Sequence, residues 1–292
     1  VRAGSKRIID RSLKPHVTKV LNKRHAEFFE RELGGVLRSV RSWSRTINRI
    51  ERFFKPRHVV VSPDYASMSD FVKVLPVIFE HQGTVIYKGR KEFDIEGQKV
   101  VVKSFQIPHL LNRIIYNFFR ESKARRSFRY AAMLRQFNIG SPAPVGFCSV
   151  SSWLLFGKSY FVSLKSECPY TYRDLWQGNF SNQEEILRAI ARATAALHEH
   201  GILHKDYSAG NILFAEKTEG VSVEIIDLNR MRFGKVSMEE GCKNFERLPG
   251  TDEMFTILAD EYAKCRGFEA DKCLLLIEKA HKSSLTFSSK VS

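Results

Sequence analysis

An α+β protein of two lobes, a small antiparallel sheet followed by a mainly helical half, is what this sequence of 292 residues predicts. Three observations carry the expectation. Between residues 58 and 105, short β-branched runs are punctuated by glycine turns, the pattern of an antiparallel meander. From residue 181 onward, apolar residues recur at helical spacing in several segments. Within the second half stand HKDYSAGNILF (204–214) and IIDLNR (225–230), in which carboxylates and an amide sit at fixed spacing beside apolar strands.

Taken in order, residues 24–54 repeat apolar side chains from Phe28 to Phe54 at helical spacing with arginines on the other face, a basic amphipathic helix interrupted by Gly34 and Gly35. HVVVS (58–62) reads as a first strand closed by Pro63, and 71–81 as a helix. Residues 84–87, 92–95 and 99–105 read as three strands joined by turns at Gly89 and Gly97. In VVVKSF, alternation puts Lys103 on the face shared by Val101 and Phe105, where a lysine is costly unless an anion partners it; a nucleotide phosphate would. Two helices are expected within 107–136, then strands at 145–149 and 159–164, with Gly157, Lys158 and Ser159 as a hairpin turn. These three residues end like a phosphate-binding loop, but Ser152 stands where that motif needs glycine. Residues 165–172 read as a connector. In the second half, Ser181 and Glu184 form an expected capping box for a helix lined by Ile186, Leu187, Ile190, Ala193, Thr194 and Leu197 and stopped by Gly201. Ser237 with Glu240 caps another helix, and two more follow around Phe255–Tyr262 and Cys273–Ile277. The expected organisation is an N-terminal extension over 1–57, a first lobe over 58–165 and a second over 166–292.

The chain carries a net charge of +15, yet residues 1–57 hold +11 of it and the rest only +4. A basic amphipathic helix with Trp and Phe on its apolar side suits an anionic membrane surface. The nearly balanced remainder argues against nucleic acid as a partner. Five cysteines, odd in number and without CxxC spacing, indicate neither a disulfide framework nor a zinc site and fit a reducing compartment. No apolar run is long enough to span a bilayer and no signal-peptide pattern opens the chain, so a cytoplasmic location is expected.

The order of polar groups points to phosphoryl transfer. Such a reaction needs one carboxylate to take the incoming hydroxyl's proton, and an amide and a second carboxylate to hold the Mg²⁺ that neutralises phosphate oxygens. Asp206 takes the first role, five residues before Asn211; Asn211 and Asp227 take the second, and His204 braces the loop backbone. This is the arrangement of a bilobal, protein-kinase-like fold. The loop YKGRKE is no GxGxxG, so Gly89 alone allows close backbone approach to a phosphate, and Lys88, Arg90 and Lys91 substitute charge. Arg230 and Arg232, with Lys235, follow the metal carboxylate and suit an anionic acceptor group.

Through VVVKSF, SKARRSFRYA, HKDYSAGNILF and IIDLNRMRFG with SMEEGCKNFERL, residues 58–281 resemble the lipopolysaccharide kinase family, the Kdo/heptose kinases. The resemblance implies ATP- and Mg²⁺-dependent phosphorylation of a sugar of the lipopolysaccharide inner core on a lipid-linked acceptor, at the cytoplasmic face of the inner membrane. It implies Lys103 at the ATP phosphates, beside the Lys88 and Gly89 read from the loop, Asp206 as base, and Asn211 and Asp227 as metal ligands. The sequence departs from the kinase pattern twice. The helix that normally supplies a glutamate to the lysine has Arg129 or Tyr130 there, the nearest acid being Glu121, and DLN replaces DFG. Two other readings share these motifs, an aminoglycoside-type phosphotransferase and a catalytically weak pseudokinase used as a binding module. With only about ten residues from Asp227 to the next helix and no APE, a protein kinase's peptide platform has little room.

Overall fold

A computed structural model describes residues 56–105, 121–151 and 156–288. They belong to two compact units, one comprising the described part of Val1–Arg129 with Ala143–Lys165, the other Tyr130–Pro142 with the described part of Ser166–Ser292. The amphipathic helix expected at 24–54 and the first of the two helices expected in 107–136 lie outside the described residues.

The first unit contains β1 (Pro56–Val61), a 3₁₀ turn at Pro63–Met68, α1 (Ser69–Ile78), β2 (Thr84–Tyr87), β3 (Arg90–Ile95), β4 (Gln98–Phe105), the start of α2 (Lys123–Gln136), β5 (Pro144–Ser151) and β6 (Phe156–Leu164). The strands form one antiparallel sheet in the order β1-β5-β6-β4-β3-β2. Strand alternation divides its core in two. Val100 and Val102 of β4 join Cys148, Tyr160 and Val162 under Phe71, Leu75 and Ile78 of α1. Phe105, on the other face, packs with Phe147, Ala124 and Phe128 at the start of α2. Gly157, Lys158 and Ser159 are not a turn: they lie inside β6, where Ser159 pairs with Phe105 of β4 and Ser149 of β5. Pairing on both sides of a central strand outweighed the local turn signal of a single glycine.

The second unit contains the rest of α2, then β7 (Tyr170–Thr171), α3 (Tyr172–Gln177), α4 (Gln183–Glu199), β8 (Ile202–His204), β9 (Ile212–Lys217), β10 (Gly220–Ile225), β11 (Met231–Phe233), α5 (Met238–Lys243), α6 (Asp252–Arg266) and α7 (Ala270–Ser288). α4 is its pedestal. Ile186, Leu187, Ile190, Thr194 and Leu197 are buried along one stripe, and α6 packs against it with Leu258 and Tyr262. The capping box expected of Ser181 and Glu184 is absent. Asn182 is the N-cap and makes no side-chain cap bond, while Glu184 turns to Arg188 at 2.9 Å. The box expected of Ser237 and Glu240 does form, at the start of α5. The stretch read as a connector, 165–172, contains β7 and ends at the start of α3, whose own box pairs Thr171 with Asp174.

Residues 130–142 are tied into this unit through Gly140. Its carbonyl accepts from Ile225 N at 2.9 Å, and a Cβ there would stand 1.8 Å from the Val223 carbonyl oxygen.

Candidate active site

The β9–β10 hairpin explains why an asparagine and an aspartate fifteen or so positions apart belong together. Its register pairs Ile212 with Ile225, and just beyond that pair the Ile226 amide donates to the Asn211 carbonyl at 2.9 Å. Asn211 and Asp227 therefore emerge at the same end of one hairpin. A second ladder adds the third group. β8 pairs with β11, Met231 opposite His204, and the Lys205 amide donates to the Arg230 carbonyl at 2.8 Å, so the loop carrying Asp206 runs beside the segment that follows Asp227.

His204 locks this arrangement. Its Nδ1 accepts from the Asp206 amide at 3.1 Å, so the ring proton sits on Nε2, which donates to the Ile226 carbonyl at 3.1 Å. One imidazole thus ties the residue before Asp227 to the backbone of Asp206. Burial pushes its pKa below the ordinary histidine value, which keeps the neutral form that this bonding requires. The expected bracing role of His204 is the one it has. Tyr207, unremarked in the sequence, anchors the loop from below. Its buried hydroxyl lies 2.6 Å from Thr194 Oγ1 of α4; Thr194 donates to the Ile190 carbonyl at 2.7 Å, so Tyr207 is the donor between the two hydroxyls.

The functional groups themselves are held with equal definition. Asn211 Nδ2 donates to the Asp206 carbonyl at 2.9 Å, which leaves Oδ1 as the atom able to ligate a cation. Asp227 has φ +63°, a left-handed backbone that a non-glycine residue adopts at a cost of the order of 1–3 kcal/mol, and such strain gathers at functional positions. The Asn229 amide donates to Asp227 Oδ1, while Leu228 is buried, so DLN fixes the carboxylate by a side-chain amide and a hydrophobic plug. An amide oxygen and a carboxylate at one hairpin end are the hard donors Mg²⁺ takes, and the ion ordinarily completes its shell with water and substrate phosphate. Among the described residues no cluster of three His, Cys, Asp or Glu is arranged to hold a metal alone. The residues present fit a metal that arrives with a nucleotide.

Asp206 has a partner that sequence reasoning missed. Arg247 Nη1 donates to Asp206 Oδ1 from the stretch after α5, both side chains being partly exposed. Of the two arginines proposed from the sequence, Arg232 donates to Glu240 Oε2 of the α5 capping box at 2.8 Å, and the Arg230 side chain is exposed.

In the first unit, Lys103 lies on the face of Val101 and Phe105, with Nζ 5.1 Å from the Phe105 ring centre. The loop before β3 is a two-residue hairpin turn, Lys88–Gly89, closed by the Tyr87–Arg90 pair. Gly89 has φ +76°, and its carbonyl accepts from the Ser104 amide at 2.8 Å, which sets the turn directly against the residue after Lys103. Beside it is a cavity of about 620 Å³ whose lining includes Lys88, Gly89, Arg90, Ser104, Phe105 and Lys123. So short a turn offers few amides to an anion; of the cations expected to substitute, Lys88, Arg90 and Lys91 line the cavity together with Glu80, and Lys91 Nζ donates to the Glu80 and Gln82 carbonyls at 3.2 and 3.0 Å. Glu121, two residues ahead of α2, binds Arg125 at 3.0 Å and Arg129 at 3.2 Å.

A model of the lipopolysaccharide kinase (Kdo/WaaP) family matches residues 88–256, more than half of the chain. The chain belongs to that family. No curated protein matches it at a meaningful level. Among solved structures, WaaP in complex with acyl carrier protein is similar at 13% identity and a TM-score of 0.56, over 78% of this chain and 98% of that one. WbdD bound to a kinase inhibitor is similar at 18% identity and a TM-score of 0.39, over 67% of this chain and 44% of that one. The likeness to WaaP shows the fold. The lipopolysaccharide kinase assignment makes the chain a phosphotransferase and agrees with the motifs from which the resemblance was drawn.

Proposed function

We propose that this lipopolysaccharide kinase transfers the terminal phosphate of ATP to a hydroxyl of Kdo or heptose in the lipopolysaccharide inner core, on a lipid-linked acceptor at the cytoplasmic face of the inner membrane. The observation that carries the reading is the convergence of Asp206, Asn211 and Asp227, each separately held, at one end of the β9–β10 hairpin. Bound Mg²⁺ would supply neutralisation of the phosphate oxygens. Asn211 and Asp227 hold it, Asp206 orients the acceptor hydroxyl and takes its proton, and Lys103 with the Lys88–Gly89 turn contacts the phosphates. Arg230 and Arg232 contact an anionic group of the acceptor. Residues 1–57 bring the enzyme to the anionic surface where a lipid-linked acceptor resides. No helix among the described residues is long and apolar enough to cross a membrane.

Incubation with Mg-ATP and deacylated lipopolysaccharide, followed by mass spectrometry, tests this directly. One added phosphate on a Kdo or heptose residue supports it. Transfer to soluble aminoglycosides in preference to core sugar would move the assignment to an antibiotic-type phosphotransferase, and nucleotide binding without turnover on any acceptor would make the chain a binding module.

A further inference from the structure

A groove of about 670 Å³ runs between α5 and α7 in the second unit. Its walls bring together Lys243, Arg247 and Lys279 with Glu239 and Glu246, over an apolar floor of Leu276 and Ala280. Such a composition can take a charged sugar. Cations take a carboxylate or phosphate, carboxylates accept from sugar hydroxyls, and aliphatic side chains cover a ring face. One of the groove's cations, Arg247, is also the side chain whose Nη1 donates to Asp206 Oδ1. The groove and the base thus share a guanidinium. While that bond stands, one of the two carboxylate oxygens of Asp206 carries an arginine hydrogen, which makes the carboxylate a weaker proton acceptor and holds it toward the groove.

We propose that this groove is a subsite for an anionic sugar of the acceptor, and that Arg247 is a positioning residue which the acceptor's anion draws off Asp206. The proposal rests on the sugar-kinase reading above. Without acceptor, Arg247 covers the base and water is a poor nucleophile. With acceptor bound, the anion takes over part of the guanidinium's donors, and Asp206 Oδ1 turns to the sugar hydroxyl. In the transfer the hydroxyl oxygen forms a bond to the γ-phosphorus, the bond from that phosphorus to the ADP oxygen breaks with its electron pair leaving on ADP, and the hydroxyl proton passes to Asp206. Exposure suits the role: a half-exposed arginine on a connecting stretch can exchange partners at little cost, whereas His204 and Tyr207 cannot.

The test compares wild type, Arg247→Gln and Arg247→Lys in two assays, ATP hydrolysis without acceptor and phosphate transfer to a deacylated Kdo-bearing core oligosaccharide or its carboxyl-reduced form. In Arg247→Gln, acceptor-independent hydrolysis is expected to rise several-fold. Its KM for the native oligosaccharide is expected to rise about ten- to hundredfold, the equivalent of one charge-assisted hydrogen bond. Arg247→Lys should fall between, and the carboxyl-reduced acceptor should bind wild type and Arg247→Gln alike. Lys279→Glu should raise the acceptor KM, whereas Lys272→Ala on the same helix outside the groove should not. A parallel fall of hydrolysis and transfer in Arg247→Gln, in protein whose melting temperature matches wild type, would reduce Arg247 to a structural role and overturn the latch. An unchanged acceptor KM in Lys279→Glu would overturn the groove. If wild type transfers no phosphate to either oligosaccharide, the sugar-kinase reading fails and takes this proposal with it; transfer by wild type combined with either negative result removes only the proposal.

Discussion

Acid should destabilise this protein through a histidine that no catalytic argument involves. His198 sits near the C-terminal end of α4, its Nδ1 2.8 Å from the Tyr262 hydroxyl and its Nε2 buried with no hydrogen-bond partner. Burial, and after it the charges of Arg266 and Arg232, push its pKa down to about 3. In the unfolded chain the value returns to about 6.5. The folded pKa is the depressed one, so the unfolded chain takes the proton first as pH falls. Stability is complete above about pH 6.5 and is lost between 6.5 and 3, at up to ~1.4 kcal/mol per pH unit, which amounts to roughly 2 kcal/mol by pH 5. His204, also lowered by burial, adds loss of the same sign as pH falls below its unfolded value. Urea denaturation at pH 7.5, 6 and 5 on wild type and His198→Gln isolates the effect, because glutamine can still bond to Tyr262 but does not titrate. Carboxylate protonation and the charge repulsion of a basic chain are common to both proteins and cancel in the difference. The wild type should lose about 2 kcal/mol more than the variant between pH 7.5 and 5. Parallel pH profiles would show that His198 is hydrated or protonated in the folded state, and the argument from burial would be wrong.

Other consequences are open to measurement. Asp206→Asn should bind Mg-ATP normally by calorimetry yet transfer phosphate about 10²- to 10⁴-fold more slowly, whereas Asp227→Asn should weaken metal-dependent nucleotide binding as well; equal defects in the two variants would contradict their separate roles. Arg230→Ala and Arg232→Ala should raise the acceptor KM and spare that of ATP, with Arg232→Ala also losing some stability because Glu240 is left without its partner; an effect confined to ATP refutes the assignment. Gly140→Ala should cost more than the ~1–3 kcal/mol usual for overpacking, since its Cβ meets a strand carbonyl at 1.8 Å and no side chain there can swing away; a melting temperature within a degree of wild type would contradict the close approach. Full-length protein should sediment with anionic vesicles at low salt and release at high salt, and a form starting at His58 should not sediment; equal binding by the two removes the membrane role of residues 1–57.

What could be read from sequence was whatever a local pattern enforces. Strand alternation around Lys103, the Ser237–Glu240 box and the stripe of α4 are short-range features, and each is present. The nearness of Asn211 and Asp227 was legible because hairpin register converts their spacing into proximity. Ser181 failed as a cap because the cap competes with the next residue: the chain enters α4 at Asn182, and Glu184 gains more from Arg188 than from a backbone amide at the helix start. Arg247 was invisible for a different reason. It lies 41 residues from Asp206, and nothing in NFERL distinguishes an arginine that reaches a base from one that faces solvent. Tyr207 is the intermediate case, since an aromatic residue directly after the base must be buried or exposed by whatever lies beneath, and only α4 decides that.

The contrast between Tyr207 and Arg247 bears on how the site can work. The backbone of the catalytic loop is fixed from two sides, by Tyr207 on α4 and by His204 on the strand before Asp227, and both anchors are buried, so moving either would strand a hydroxyl or an imidazole away from water. Asn211 is held by the same loop, and Asp227 by the amide two residues on. Among these groups the one whose side-chain tether is half-exposed is Asp206. In the proposed mechanism the metal ligands stay still while the base changes partners, and the burial pattern suits both roles: Asn211 and the Asn229 that holds Asp227 are buried, whereas Asp206 is held by a half-exposed arginine that a charged acceptor can reach.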